Sequence, residues 1–296
     1  MPALHTCRRL GRGLAACLAT VALSFAGLAT STGASHAAAP NSASSSPCPT
    51  PVAKKGVSTW SFDGVTPALA ASGVSWYYDW GPDHPSITSP CGVEFVPMIW
   101  GSTAVFDGSL DKAKSQGSSS LLGFNEPDKA GQSNMSPQEA LHLWPKLMAT
   151  GLSLGSPAVA TNAASSGSWL DQFMQGARGL GYRVDFITVH WYGGDFTTPN
   201  AVNQLRSYLQ AIHNRYQLPI WLTEYALVNY GSGPAYPTTQ QQTSFVTAST
   251  TMLQSLPYVQ RYAWYALPAT KPGATGLYQP GGTPNETGSA YAAAGR

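Results

Sequence analysis

Two glutamates stand where carboxylates can work together. Glu126 lies in Gly123-Phe124-Asn125-Glu126-Pro127-Asp128, and Glu224 in Leu222-Thr223-Glu224-Tyr225. Each closes a short apolar run, the pattern of a buried strand that ends at a polar mouth. The chain has only five glutamates, and position sets the other three aside. Glu94 starts a run instead of ending one, Glu139 sits in a helix-capping position, and Glu286 falls in a C-terminal loop. One carboxylic acid that protonates a leaving oxygen and one carboxylate that attacks carbon or activates water can together break a glycosidic bond. The structural alternative is that each glutamate caps a loop or pairs with an arginine, and arginines near them are few.

Other side chains near the ends of such runs fit the same chemistry. Asn125 is placed to hydrogen-bond a sugar 2-hydroxyl. His190 closes a run of its own; it orients the nucleophile, binds a hydroxyl, or is a satisfied core histidine. Asp128 binds substrate or fixes its own loop. Tyr225 is a cleft wall or core. Trp60, Trp76, Tyr78, Trp80, Trp100, Trp191, Tyr192 and Trp264 are candidates to stack on sugar rings, although core packing is the commoner role for any single aromatic. Other chemistries lack their signatures. No glycine-rich phosphate loop follows a strand, and no G-x-S-x-G elbow is present. No His or Cys cluster has metal-ligand spacing, so neither a metal nor a cofactor is expected.

Eight short apolar and aromatic runs could hold these residues: 55–60, 74–80, 94–100, 120–126, 154–159, 185–192, 219–225 and 261–267. Helical signals fill most gaps. Ser136-Pro137-Gln138-Glu139 is a capping box that opens a helix through Met148. Ser168 caps 169–177, and 201–216 and 238–256 place apolar residues on one face. Shorter helices are expected at 65–71, 110–114 and 287–294. Strand and helix alternating about eight times imply a single-domain (β/α)8 TIM barrel, with an open doubly wound sheet as the alternative. A barrel of this kind places its active site at the C-terminal strand ends, where Glu126 and Glu224 close the fourth and seventh runs.

Residues 1–38 read as a secretory signal. Arg8, Arg9 and Arg12 precede an uncharged apolar run from Leu14 to Ala29, and small residues follow. Residues 39–53 read as a flexible leader, and 54–296 as the catalytic domain. The expected protein is secreted, extracellular and monomeric, with no membrane partner once the signal is cleaved. Removing those three arginines from 16 basic residues leaves 13 against 14 acidic ones, so no nucleic-acid partner is expected. Charged residues are 10% of the chain and aromatics 11%, a balance that suits uncharged hydrogen-bonding ligands. Cys48 and Cys91 are the cysteines outside the signal, and in an oxidising compartment they are expected to form a disulfide.

Several blocks together resemble glycoside hydrolase family 128, the catalytic domain related to the fungal alkali-sensitive-linkage protein. They are Lys54-Lys55-Gly56-Val57-Ser58, Leu122 to Asp128, Ser156-Pro157-Ala158, Asp185 to Tyr192, Trp221 to Tyr225 and Tyr262-Ala263-Trp264-Tyr265. They span residues 54 to 292. The resemblance implies a retaining endo-β-1,3-glucanase with Glu126 as acid/base and Glu224 as nucleophile. It implies that Asn125 holds the 2-hydroxyl, that Trp264 forms the floor under the cleaved sugar, and that His190 and Tyr192 surround it. The substrate it implies is a β-1,3-glucan. A different β-glycan linkage on the same fold, or an inactive glucan- or wall-binding barrel, are the alternatives.

Overall fold

Apolar runs become strands wherever a neighbouring run can pair with them. The computed structural model describes Cys48, residues 50–270 and residues 274–296. The signal segment and most of the leader lie outside the described residues. Among these residues eight strands follow one another: β1 (Val52–Ser58), β2 (Val74–Tyr78), β3 (Glu94–Phe95), β4 (Ser120–Leu121), β5 (Ser153–Leu154), β6 (Ile187–Gly193), β7 (Ile220–Leu227) and β8 (Val259–Tyr265). Six form a sheet in the order β3-β2-β1-β8-β7-β6, and β4 pairs with β5. All of these pairings are parallel. Parallel bridges Met98–Leu122 and Gly155–Phe186 join the two sets, so the ring closes as a (β/α)8 barrel and the open-sheet alternative falls.

The third to fifth runs, 94–100, 120–126 and 154–159, keep regular ladders of only two residues each. Pro97 lies two residues past β3, and Pro157 three residues past β5. Neither offers an N–H, so pairing continues as single bridges. β1 begins two residues before the expected start of the domain, because the Val52 amide donates to the Gly73 carbonyl (3.0 Å).

Among the described residues seven α-helices surround the strands: α1 (Val65–Ala71), α2 (Ser109–Ser115), α3 (Pro137–Met148), α4 (Trp169–Gly179), α5 (Thr198–Tyr216), α6 (Thr239–Ser255) and α7 (Glu286–Ala293). Hydroxyls of Ser136, Ser168 and Thr238 cap α3, α4 and α6 by accepting backbone N–H groups. The β2–β3 connection has no helix; Pro82, Pro85 and Pro90 fall within it. A disulfide from Cys48 to Cys91 pins that connection to the N-terminal arm, with the Cα atoms 5.6 Å apart. Among the described residues, no helix is long and apolar enough to cross a membrane.

Alternation along the strands divides the core in two. Inside the barrel lie Trp76, Tyr78, Val96, Met98, Leu122, Phe186, Trp221 and Ala263. Gly56 makes room for them: a Cβ there would sit 2.3 Å from the Trp76 ring. Below, the Arg261 guanidinium stacks on Trp221 and Trp76 and pairs with Glu94 at 2.7 Å. Glu94 is thus at the end of the barrel opposite the strand C-termini. Outside the strands a larger apolar layer packs against the helices.

Lys55 is the one cation buried in that outer layer among the described residues. Its ammonium donates to the carbonyls of Tyr291 (2.6 Å) and Ala294 (3.0 Å), and lies 4.8 Å from the centre of the Tyr291 ring. Burial and then the charge of Arg296 bring this amine down to about 7, so the protonated form, which complements the negative end of α7 and fastens that helix to β1, is lost as pH rises through neutral. Lys55→Met keeps the length and removes the donors. It is expected to lower stability by about 2 kcal/mol, read as a lower denaturant midpoint at unchanged m-value.

Candidate active site

At the C-terminal ends of the strands lies a cleft of ≈ 660 Å³ lined by both glutamates, Asn125, Trp60, Trp80, Trp100, Tyr192, Tyr230 and Tyr265, among others. Glu126 stands just past β4, in a turn. Its φ is +40°, an uncommon conformation for a side-chain-bearing residue, and its amide is held by the Ala158 carbonyl at 2.7 Å. The turn aims the carboxylate across the mouth. Asn125, one residue earlier, is tied to Trp100 through its backbone N–H (2.9 Å) and bridges Ala158.

Glu224 is aimed by a different device. β7 carries an extra residue opposite β6: Val189 pairs with Leu222, and His190 with Glu224. This bulge lifts Glu224 into the mouth and turns the Thr223 carbonyl inward, where the Tyr78 hydroxyl donates to it (3.0 Å). Three donor groups then converge on the Glu224 carboxylate, with the Tyr78 hydroxyl sharing its one proton between Thr223 and Glu224. Trp80 Nε1 reaches Oε1 at 2.9 Å, the Tyr78 hydroxyl reaches Oε1 at 3.3 Å, and the Tyr192 hydroxyl donates to Oε2. Burial and the nearby Glu224 charge push the phenols of Tyr78 and Tyr192 well above the usual tyrosine range, so both stay protonated as donors.

His190 lies between the two carboxylates. Nδ1 is 3.0 Å from Glu126 Oε1, and Nε2 is 3.6 Å from Glu224 Oε1. Ligating atoms of Glu126, His190 and Glu224 all fall within 4.8 Å of one another. Burial disfavours an imidazolium, yet the charge of Glu224, the hydrogen bond and charge of Glu126, and the charge of Asp128 raise the histidine above its ordinary value. Burial likewise pushes Glu126 up, but His190 and then Lys129, 3.9 Å from Oε2, bring it below the carboxylate range. Among the described residues this is the one trio of acidic and histidine side chains that converges so closely. Aromatic donors engage both oxygens of Glu224, and His190 Nδ1 engages Glu126, while His190 Nε2 is left unpaired.

The remaining candidates divide. Trp60 and Trp100 are 37% and 39% exposed and face the cleft, as does Tyr192. Tyr78 is fully buried beneath Glu224 and supports it instead of lining the cleft. Asp128 fixes its loop: its carboxylate accepts from the amides of Ala160 (2.9 Å) and Thr161 (3.0 Å). Three aromatics face away. Trp191 stacks on Phe245, Tyr225 packs against Trp264 and Phe245, and Trp264 is fully buried with its Nε1 donating to the Thr275 carbonyl. Trp264 therefore cannot floor the cleft. The reason is period two: His190, Tyr192, Glu224 and Tyr265 turn inward, so Trp191, Tyr225 and Trp264 turn toward the helices.

The cleft also contains residues the sequence argument left unassigned. Tyr265 takes the place expected of Trp264 and joins an aromatic wall with Trp80 (5.9 Å between ring centres) and Tyr192 (5.7 Å). Alternation from Ala263 would have found it. Lys129, three residues after Glu126, was legible from that spacing. Gln132, whose Oε1 accepts from Asn125 Nδ2 (3.3 Å), and Tyr230 sit on loops and carry no periodic signal.

Comparison with known proteins gives a consistent picture. Residues 58–291 match the family model described as "Glycosyl hydrolase catalytic core". Over 222 residues the chain is 32% identical to alkali-sensitive linkage protein 1 of Schizosaccharomyces pombe, covering 71% of this chain and 38% of that protein's length. The chain is similar to a GH128 subgroup I endo-β-1,3-glucanase of Amycolatopsis mediterranei, at 56% identity and a TM-score of 0.79 over 82% of this chain and 99% of that one. That enzyme was solved as a glutamate-to-alanine variant with laminaritriose and laminaribiose. A subgroup II endo-β-1,3-glucanase of Sorangium cellulosum is 30% identical with a TM-score of 0.68, over 81% of this chain and 98% of that one. A subgroup III curdlan-specific exo-β-1,3-glucanase of Blastomyces gilchristii is 28% identical with a TM-score of 0.66, over 83% of this chain and 100% of that one.

Two contrasts test the geometry. Tyr192→Phe removes one donor from Glu224 and is expected to lower kcat roughly 10- to 100-fold with little change in Tm. Tyr265→Ala is expected to raise KM at nearly constant stability. Trp264→Ala instead lowers stability by about 3–5 kcal/mol, read by thermal or denaturant unfolding.

Proposed function

The chain belongs to the glycosyl hydrolase catalytic core family and is a glycoside hydrolase, and we propose that it is a secreted, monomeric endo-β-1,3-glucanase that retains anomeric configuration. The observation that carries the mechanism is the separation of the two carboxylates. Oxygens of Glu126 and Glu224 approach within 4.8 Å. A retaining pair stands about 5–5.5 Å apart, and an inverting pair needs roughly 6.5–9.5 Å to admit a water.

Glu224 is the nucleophile in this scheme. Donors from Trp80, Tyr78 and Tyr192 orient its carboxylate. Glu126 protonates the leaving oxygen as Glu224 attacks the anomeric carbon, then takes a proton from the water that releases the sugar. Asn125 has a buried side-chain oxygen with no partner, in a residue that lines the cleft beside Glu126, which suits a sugar hydroxyl donor. Trp60, Trp80, Trp100, Tyr230 and Tyr265 supply the faces on which apolar sides of glucose rings stack. The β-1,3 linkage and endo action are supported by the 56%-identical subgroup I relative, an endo-β-1,3-glucanase, whereas the exo-acting relative is 28% identical. The basic, apolar and small-residue order of residues 1–38 supports export.

The test is a polysaccharide panel with product sizing. Linear β-1,3-glucan is expected to release oligosaccharides of several lengths, and β-1,4- and β-1,6-glucans are expected to release little. Glu224→Ala is expected to lose roughly 10⁴-fold or more of that activity. Preferred cleavage of a β-1,4- or β-1,6-glucan would overturn the linkage. Full activity in Glu224→Ala would overturn the catalytic assignment, and glucan binding without new reducing ends would make the protein a binding module.

A further inference from the structure

His190 is fully enclosed, and its Nε2 has no hydrogen-bond partner. Its backbone carbonyl accepts from the Tyr208 hydroxyl of α5 (3.1 Å), which fixes the strand at this point. The charged and titratable groups facing the ring come from several elements: Glu126 and Asp128 beyond β4, Glu224 from β7, and the hydroxyls of Tyr78 on β2 and Tyr192 on β6 around that carboxylate. Lys129 lies on the other oxygen of Glu126 and is half exposed. Two carboxylates flank the imidazole at 3.0 and 3.6 Å, and with the charge of Asp128 they raise it above its ordinary value against the effect of burial. The same contact keeps Glu126 ionised in the free enzyme. A general acid that rests ionised needs a proton from a neighbour.

We propose that His190 is the proton store of the reaction, passing its Nδ1 proton to Glu126 during glycosylation and recovering it when Glu224 is released. The inference rests on the retaining mechanism above. In the free enzyme the proton rests on His190 and Glu126 carries none. In the first step the Nδ1 proton moves to Glu126, and Glu126 delivers a proton to the glycosidic oxygen. That C–O bond breaks while Glu224 forms its bond to the anomeric carbon. His190 is then neutral, Glu126 anionic and Glu224 an uncharged ester. In the second step Glu126 takes a proton from the attacking water, the ester bond breaks, Glu224 departs as a carboxylate, and the proton returns to Nδ1. One proton leaves in the product alcohol and one arrives from water, so the cycle balances without any co-reactant. Esterification of Glu224 removes a charge that holds the imidazolium, which is why the store empties in step with the nucleophile. His190 acts through Glu126 and is a positioning residue that also titrates.

The first test is the pH profile of kcat/KM on linear β-1,3-glucan for the wild type and His190→Asn. Asparagine keeps a donor toward Glu126 and does not titrate. In the wild type the alkaline limb reports loss of the proton shared by His190 and Glu126. In His190→Asn the proton must stay on Glu126 alone, so the limb is expected to move to lower pH by about one unit or more. A limb that stays in place, or moves to higher pH as a carboxyl relieved of a neighbouring cation would, overturns the proposal. On a dinitrophenyl β-laminaribioside, whose leaving group needs no proton, His190→Asn is expected to lose less than about fivefold in the glycosylation step, against roughly 100-fold on glucan. Equal losses on both substrates overturn it too. The second test uses the wild type alone, so it survives any folding defect in the variant. Nitrogen-15 NMR of His190 is expected to show an imidazolium in the free enzyme and a neutral ring after a 2-deoxy-2-fluoro-β-laminaribiosyl fluoride has esterified Glu224. The same charge in both states overturns the proposal. Failure of that reagent to label Glu224 in an enzyme that cleaves glucan would overturn the retaining mechanism, and this proposal with it.

Discussion

A buried imidazole between two buried carboxylates is the interaction on which the rest of the mouth depends. Two glutamates brought within 4.8 Å of each other would repel strongly in a low-dielectric site. His190 lies between them, 3.0 Å from one and 3.6 Å from the other, and the two carboxylates favour a proton on its ring. The neighbours of Glu224 complete the arrangement, since Trp80, Tyr78 and Tyr192 are all donors to it. These contacts are satisfied within the protein, so the pair is organised before a sugar enters.

The barrel supplies the positions through small departures from regularity. Glu126 reaches the mouth through a turn with positive φ, Glu224 through a bulge in β7, and Trp80 through its own positive φ of 62°. Each departure is local and is enclosed by regular structure. Below the mouth, Trp76, Phe186 and Trp221 fill the barrel, and the Arg261–Glu94 pair lies under them. The result is a rigid floor under a polar surface, which suits a reaction that needs two carboxylates held at fixed separation.

Much of this was legible in the sequence for identifiable reasons. Capping residues such as Ser136 and Ser168 marked helix starts, because a hydroxyl at that position satisfies backbone N–H groups that nothing else serves. The two glutamates of the proposed mechanism were legible because carboxylates are rare in this chain and only these two end apolar runs. Aromatic roles were less legible. A run such as Ala263-Trp264-Tyr265 is apolar on both faces, so composition does not say which ring points inward, and the resemblance to family 128 pointed to Trp264 where the cleft has Tyr265. Register decides it, and register follows from pairing with β1 and β7 across the sheet. Loop residues such as Gln132 and Tyr230 have no period to reveal them.

The central claim is that Glu224 attacks carbon directly, since the gap to Glu126 leaves no room for an intervening water. The most direct measurement is proton NMR of the first reducing ends released from a β-1,3-glucan, recorded before mutarotation. Retention predicts that the β-anomer appears first and decays toward the equilibrium mixture. First appearance of the α-anomer would contradict the account.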